Sequence, residues 1–377
     1  MGIGTKIPYA HNTVTTAIGC LPVSPGCANC FAECLVGGRL AFNPRLDRYH
    51  GVTEITGDRP RWNGKVNLAP ELLGTMVRRE RPEVWFIGDL SDLFYEEVPT
   101  EHIIEVLAYV LVAGRRGQVA ITTTKRSRRQ RDLVNGMDLD LLARFADRIA
   151  SGLLARRPRR AGWEVRHVPG LAAPEPDQHA KVERRPLPWP LPNWWPGVSA
   201  EDQRRADERI ADLAATPAVL RWVSFEPLLG PVEVCNGRAN RWSVPTRRDA
   251  AGNGIEWTDP GPAFIPVDWV VVGGESGRHA RVNDLAWPRA LRDQCRAAGV
   301  PFFHKQAGAC VRVPRGDALQ FALDGSWTAE SPGAAQGIAR PGHPKGADPR
   351  EWPPDLRIRE FPARLPRAMW PTVLEAP

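Results

Sequence analysis

The chain has 377 residues, 42% of them hydrophobic and 25% charged, with a formal net charge of +7 at pH 7. This apolar fraction and modest charge exclude a disordered chain, and seven cysteines are too few for a disulfide-built secreted scaffold. No apolar run reaches the roughly 18 residues that a membrane helix needs, and the first residues lack the apolar core of a signal peptide. We expect a cytoplasmic protein with free thiols and no membrane partner.

Seven short apolar segments predict buried strands, and each of them ends in small or polar residues. In chain order they cover residues 13–19, 84–92, 118–125, 193–202, 220–227, 267–276 and 300–308. Helical patterns follow three of them, over residues 100–114, 202–216 and 287–299. Continuous apolar runs are typical of parallel strands that are covered on both faces. The alternation predicts an α/β fold, a partial or full (β/α) barrel, with a doubly wound open sheet as the alternative.

Three stretches interrupt this alternation. Residues 155–192 and 236–266 are rich in Pro, Gly and Arg with weak periodicity, which predicts two insertions. Residues 312–377 are rich in Pro and Gly and predict a C-terminal extension along the surface. The domain prediction is therefore one barrel over residues 1–311 followed by that extension.

Four cysteines fall within fifteen residues on a loop bent by Gly and Pro, directly after the first predicted strand. Cys20, Cys27 and Cys30 have the spacing Cys-x6-Cys-x2-Cys, and Cys34 follows as a packed helix residue or a spare ligand. Three thiolates on such a loop can hold either an iron–sulfur cluster or zinc. A structural zinc needs a fourth ligand, for which Cys34 or His11 could serve, whereas a three-thiolate [4Fe–4S] cluster leaves one iron open. The other cysteines are expected to be buried thiols: Cys235, Cys295 and Cys310.

Lone polar residues stand at the ends of the later predicted strands. Since the carboxyl ends of parallel strands form one rim of a barrel, these side chains are expected to face one site. They are Asp89, Asp92, Lys125, Ser199, Glu201, Glu226, Glu275 and Lys305.

Seven sequence blocks carry a family resemblance over residues 13–308. They read IGCLPVSPGCANCFAE, FIGDLSDLFYEEVP, TTTKR, LPNWWPGVSAEDQ, WVSFEPLLGPVE, DWVVVGGESG and FFHKQAG. In this order they resemble a family of phage and mobile-element proteins with a three-Cys motif, often encoded beside a dedicated partner protein. That family is similar to a divergent branch of the radical S-adenosylmethionine (SAM) enzymes, although the first cysteine gap is wider here than their three residues.

The resemblance implies a cofactor, a reaction and a set of residues. Cys20, Cys27 and Cys30 would hold a [4Fe–4S] cluster whose open iron binds SAM, with an electron donor such as a flavodoxin or ferredoxin. Cleavage of SAM would give a 5′-deoxyadenosyl radical that modifies or repairs a nucleic acid or nucleotide. The implied cofactor contacts are Gly88, Asp89, Ser91, Ser199, Glu201, Gly273, Gly274 and Glu275. The implied catalytic contacts are Glu226, Lys305 and Lys125.

The distribution of basic residues supports a nucleic-acid partner. The segment 115–131 has seven basic residues and no acidic one, and the 155–192 insertion adds an Arg cluster. Basic residues with aromatic neighbours suit phosphate contact and base stacking. The aromatic candidates are Trp163, Trp189, Trp194 and Trp195. The alternative function is therefore a non-catalytic nucleic-acid-binding phage protein stabilised by zinc or an iron–sulfur cluster.

Overall fold

The computed structural model describes residues 2–152, 187–234, 244–247, 256–258, 265–314, 328–329 and 336–369. Its main sheet has eight strands, in chain order β1 (Gly2–Ile3), β2 (Asn12–Val14), β3 (Val84–Ile87), β4 (Val119–Thr124), β5 (Trp194–Ser199), β6 (Trp222–Phe225), β7 (Trp269–Gly273) and β8 (Phe302–Gln306). β1 is antiparallel to β2, and the seven strands from β2 to β8 are parallel.

The order of the strands in this sheet is their order along the chain. That is the topology of a (β/α) barrel, whereas a doubly wound sheet reverses its order near the middle. The predicted α/β fold of partial-barrel type is therefore confirmed, and all seven predicted strand segments contribute to the sheet.

The described part of the chain contains seven α-helices. They are α1 (Phe31–Leu35), α2 (Gly74–Arg78), α3 (Thr100–Gly114), α4 (Ser127–Asn135), α5 (Leu139–Ala150), α6 (Gln203–Ala214) and α7 (Ala286–Ala298). The three predicted helices correspond to α3, α6 and α7. Short 3₁₀ segments occur at Pro25–Cys27, Asp47–Tyr49, Pro70–Leu73, Pro349–Glu351, Pro354–Leu356 and Arg367–Met369, with a π-helical turn at Val36–Leu40. In the described part of the chain, no helix combines the length and apolar character needed to cross a membrane.

Several small sheets lie around the main one. Two-stranded antiparallel sheets pair Ala17–Ile18 with Asn67–Leu68, Thr53–Thr56 with Arg59–Trp62, and Val244–Arg247 with Glu256–Thr258. A four-stranded sheet contains Asn283–Asp284, Val311–Pro314, Gln336–Ala339 and Thr328–Ala329. Most of the predicted insertions 155–192 and 236–266 lies outside the described residues.

The sheet curls around the ring of Tyr9. The ring centroids of Phe86 on β3 and Trp222 on β6 are 6.3 Å apart. Two strands separate β3 from β6, so a flat sheet would place them about 14 Å apart. The Tyr9 ring lies between these two and also contacts Trp269 at 5.8 Å and Phe303 at 5.7 Å. The parallel strands therefore form a half-barrel whose interior is filled by aromatic rings.

The described part of the C-terminal segment packs against the half-barrel. Phe361 enters the interior, where its ring contacts Trp269 at 5.8 Å and Phe303 at 5.3 Å. The Glu360 N–H donates to the Phe302 carbonyl at 3.0 Å, and the Ala307 N–H donates to the Gly346 carbonyl at 2.8 Å. This segment thus covers the edge strand β8, while the proposed division at residue 311 stays a prediction.

We expect Phe303→Ala to lower the free energy of unfolding by about 3–5 kcal/mol, because it leaves a cavity among fully buried rings. The matched control is Phe42→Ala, at a phenylalanine that is 74% exposed, for which we expect a change within about 0.5 kcal/mol. Urea unfolding of both variants measures the difference. Equal effects at the two positions would contradict the aromatic interior.

Candidate functional site

The cysteine loop lies at the carboxyl end of the parallel strands. It begins after β2, and a backbone bridge pairs Gly19 with Ser91, which follows β3. Gly19 has φ +122°, and a Cβ there would stand 2.0 Å from the Lys65 carbonyl oxygen, so only glycine fits this position. Cys27 ends a 3₁₀ turn and Cys30 directly precedes α1. The loop therefore occupies the rim where (β/α) barrels assemble their sites.

The three thiols lie within electrostatic reach of one another. Burial and the charge of Asp92 raise the pKa of Cys20 to about 12, and the nearby Cys27 and Cys30 contribute in the same direction. Burial also raises the pKa of Cys30, although backbone amides of Glu33 and Ala32 donate to its sulfur. The Cys20 thiol is thus protonated at neutral pH, and a metal bound there would have to displace a proton.

The donor set fits an iron–sulfur cluster by its chemistry. Cys20, Cys27 and Cys30 are free and partly exposed, and Cys thiolates are the ligands that such clusters take. No group of three or more His, Cys, Asp or Glu side chains in the described ranges forms a ready metal site. The fit therefore rests on the type and number of the donors and on their place in one loop.

The remaining candidate ligands lie elsewhere. Cys34 is on α1, as expected, but its side chain is exposed, so the prediction that it packs is wrong. His11 lies at the amino end of β2, where its Nδ1 accepts from the Val84 N–H at 3.0 Å, so it is at the wrong end of the sheet for the loop. Cys295 and Cys310 are buried, as predicted, and Cys235 lies outside the described residues.

A buried carboxylate from the end of β5 holds one side of the cysteine loop. Glu201 is fully buried, and its Oε1 accepts from the Gly26 N–H at 3.1 Å. Its Oε2 pairs with the buried Arg209 guanidinium of α6 at 3.0 Å. Burial alone would raise the pKa of Glu201, but Arg209 and the Gly26 amide lower it below its usual value. Glu201, a predicted cofactor contact, thus anchors the residue next to Cys27.

A second carboxylate, from the end of β7, holds the other side of the loop. Glu275 Oε2 accepts from the Asn29 amide at 3.0 Å, and Oε1 pairs with Arg281 at 2.6 Å. Arg281 also donates to the Pro25 carbonyl at 2.9 Å. Burial opposes ionisation of Glu275, yet hydrogen bonds from Arg281 keep its pKa below the usual value. Both carboxylates therefore position the loop. The sequence predicted neither this role nor the participation of Asn29 and Arg281.

The predicted catalytic residues meet inside the mouth of the half-barrel. Lys305 Nζ pairs with Glu226 Oε1 at 2.8 Å and lies 5.4 Å from the Tyr9 ring centroid. The Glu226 carboxylate also accepts from the Tyr9 hydroxyl at 3.4 Å. Lys125 Nζ donates to Ser199 Oγ at 3.2 Å, and Ser199 Oγ donates to the Glu226 carbonyl at 3.3 Å. These residues form one polar network, to which the structure adds Tyr9.

Two predicted cofactor segments flank this network. After β3, the Thr15 hydroxyl donates to Asp89, Gly88 has φ +88°, and the buried Ser91 Oγ has no hydrogen-bond partner among the described residues. After β7, a Cβ on Gly273 would stand 2.8 Å from Glu226 Oε1, and one on Gly274 would stand 2.2 Å from the Ala307 carbonyl oxygen. The two glycines thus permit close packing between β7, Glu226 and the end of β8.

A groove of about 890 Å³ runs beside the cysteine loop, between α4 and α6. Its lining includes Val23 of the loop, Lys125, Arg126 and the exposed Arg128. Acidic residues also line it, among them Asp132, Glu208 and Asp212. The groove therefore combines basic and acidic side chains next to the candidate site.

Several residues predicted to contact nucleic acid have structural roles instead. Trp194 and Trp195 lie buried in β5, so they cannot stack on bases and that interpretation is wrong. Arg129 donates to the carbonyls of the 94–98 segment, and Arg131 pairs with Asp132 and Asp212. Trp163 lies outside the described residues.

Comparison with known proteins gives a family match. A family described as "Protein of unknown function (DUF5131)" matches residues 4–332, nearly the whole chain. No curated protein and no solved structure matches the chain.

We expect Glu201→Gln to lower the free energy of unfolding at pH 7 by about 3–5 kcal/mol, because it leaves the buried Arg209 charge unpaired. Because the pKa of Glu201 is lowered in the folded state, this difference is present above the unfolded carboxyl pKa of about 4.3 and shrinks as the pH falls through the folded pKa. Hydrogen exchange of the Gly26 amide should also accelerate. Glu208→Gln, in an exposed ion pair, is the control and should change stability by less than about 0.5 kcal/mol. An unchanged hydrogen-exchange rate of the Gly26 amide in Glu201→Gln would contradict the anchoring role of Glu201.

Proposed function

We propose that this chain, which belongs to the DUF5131 family of proteins of unknown function, is a radical SAM-like enzyme. The observation that carries the proposal is the position of three free Cys thiols on the loop after β2, at the carboxyl end of a parallel half-barrel. Active sites of (β/α) barrels are built at that end. The resemblance to phage and mobile-element proteins with a three-Cys motif supports the same function.

In this proposal, Cys20, Cys27 and Cys30 hold a [4Fe–4S] cluster with one iron open for SAM. Once reduced by the electron donor, the bound cluster and SAM would supply radical chemistry that abstracts a hydrogen atom from the substrate. The buried Ser91 hydroxyl beside the loop has no hydrogen-bond partner among the described residues and is a candidate contact for the cofactor. The further candidate cofactor contacts are Gly88, Asp89, Ser199, Gly273 and Gly274.

The polar network in the mouth orients the substrate. Glu226 fixes the Lys305 ammonium, and Ser199 fixes the Lys125 ammonium. Each ammonium has three N–H donors, so each keeps at least one for an acceptor on the substrate. The aromatic rings below the network exclude water from one side of the site. Lys305 and Lys125 can thus donate hydrogen bonds from Nζ to acceptors on the substrate.

We propose a nucleic acid or nucleotide as the substrate. The groove of about 890 Å³ reaches from the cysteine loop past Lys125 to the exposed Arg128, and the chain has a net charge of +7. Such a groove has room for a nucleotide and cations for its phosphates. The dedicated partner protein and an electron donor such as a flavodoxin or ferredoxin remain proposals from the family resemblance.

The cofactor proposal predicts a brown protein with about four iron atoms per chain after anaerobic reconstitution. With SAM and dithionite it should release 5′-deoxyadenosine, measured by chromatography. Cys27→Ala should lose the colour and the product because it removes a proposed ligand. Cys34→Ala is the matched control, since Cys34 is exposed on α1, and it should keep both.

A colourless wild-type protein with one zinc per chain would refute the enzyme and favour the zinc-stabilised binding protein. An iron–sulfur protein that leaves SAM intact under reducing conditions would refute the SAM chemistry while keeping the cluster. Product formation by Cys27→Ala would refute the ligand assignment.

The substrate proposal predicts salt-dependent binding of a single-stranded oligonucleotide, measured by fluorescence anisotropy between about 50 and 200 mM salt. Arg128→Ala should make the slope of log K against log salt concentration less steep, by the amount that corresponds to the loss of about one phosphate contact. Arg204→Ala, on the exposed face of α6 and outside the groove lining, should leave it unchanged. Equal slopes for wild type and Arg128→Ala would contradict a phosphate path along this groove.

A further inference from the structure

Arg126 connects the cysteine loop to the end of β4. Its side chain is only 5% exposed. Nη1 donates to Cys20 Sγ at 3.3 Å, and Nη2 donates to the Leu21 carbonyl at 2.6 Å. One guanidinium therefore contacts both the sulfur of a proposed cluster ligand and the backbone of the next residue.

The guanidinium is held in place from its other sides. Nη1 pairs with Asp92 and Nε pairs with Glu96, both at 3.3 Å, and the guanidinium carbon lies 5.0 Å from the Tyr95 ring centroid. Asp92 is fixed in turn by the Thr124 hydroxyl at 2.6 Å. Because two carboxylates and a ring fix the planar group, its N–H bond to Cys20 has a defined direction.

This contact has a consequence for a metal centre on the loop. Reduction adds negative charge to an iron–sulfur cluster, and a hydrogen bond to a ligand sulfur stabilises the added charge. A guanidinium keeps its positive charge at any accessible pH and stabilises the reduced state further. Without Arg126, the negative charge of Asp92 would act on Cys20 uncompensated.

We propose that Arg126 is a positioning residue that holds Cys20 and raises the reduction potential of the metal centre on the cysteine loop. This inference rests on the proposed function, because it requires that the loop binds an iron–sulfur cluster. It assigns to Arg126 a role in tuning the centre, separate from ligation and from substrate binding.

The test compares reduction potentials of anaerobically reconstituted proteins by redox titration with electron paramagnetic resonance. Arg126→Met removes the charge and the N–H donors while keeping an unbranched side chain. Arg126→Lys keeps the charge with a different donor geometry, and Arg126→Gln keeps an N–H donor without the charge. Arg204→Met removes an equal charge from an exposed side chain of α6 that lies outside the groove lining, and it is the matched control. Iron content and circular dichroism are measured for every variant.

We expect a more negative potential for Arg126→Met, intermediate values for Arg126→Lys and Arg126→Gln, and the wild-type value for Arg204→Met. If Arg126→Met does not fold or does not load iron, the reduction potentials of wild type, Arg126→Lys and Arg126→Gln are compared instead. Potentials of both variants below the wild-type value support the inference. Wild-type potentials in all iron-loaded Arg126 variants would overturn the inference while leaving the cluster standing. A wild-type protein that takes up no iron would overturn the proposed function instead.

Discussion

The candidate site depends on two buried carboxylates that hold the cysteine loop against the sheet. A loop bent by Gly and Pro has many conformations, and ordering it costs conformational entropy. Glu201 and Glu275 offset this cost through charge-assisted hydrogen bonds to Gly26, directly before Cys27, and to Asn29, directly before Cys30. Each carboxylate has its own guanidinium partner, Arg209 or Arg281, so each stays ionised despite burial. The ends of β5 and β7 therefore hold the part of the loop that carries Cys27 and Cys30.

The half-barrel divides into two halves along its axis. Its lower interior is filled by aromatic rings around Tyr9, which force the sheet to curl. Its upper interior is polar, with Lys305, Glu226 and Lys125 in one network. The Tyr9 hydroxyl joins the two halves because it reaches Glu226 from below. The packing that stabilises the fold thus also positions the groups proposed to contact the substrate.

Sequence patterns predicted the architecture but not the contacts between single side chains. All seven parallel strands and α3 were predictable because long apolar runs specify buried elements. The Arg-rich α4 was missed because most of its residues are polar, whereas the stripe of Leu142, Phe145 and Ile149 in α5 was detectable. Strand ends indicated where Glu201 and Glu275 lie. They did not indicate the loop residues that these carboxylates bind, Gly26 and Asn29, which are 175 and 246 residues away along the chain. The role of Tyr9 depends on the curl of the sheet, which no local pattern encodes.

We propose that the cysteine loop is a metal centre built for an iron–sulfur cluster. The most direct measurement is anomalous X-ray scattering at the iron edge from crystals of the anaerobically reconstituted protein. We expect an iron signal beside the sulfur atoms of Cys20, Cys27 and Cys30, on the side of the mouth that holds Lys305 and Glu226. An iron-free loop, or a signal that appears only at the zinc edge, would contradict it.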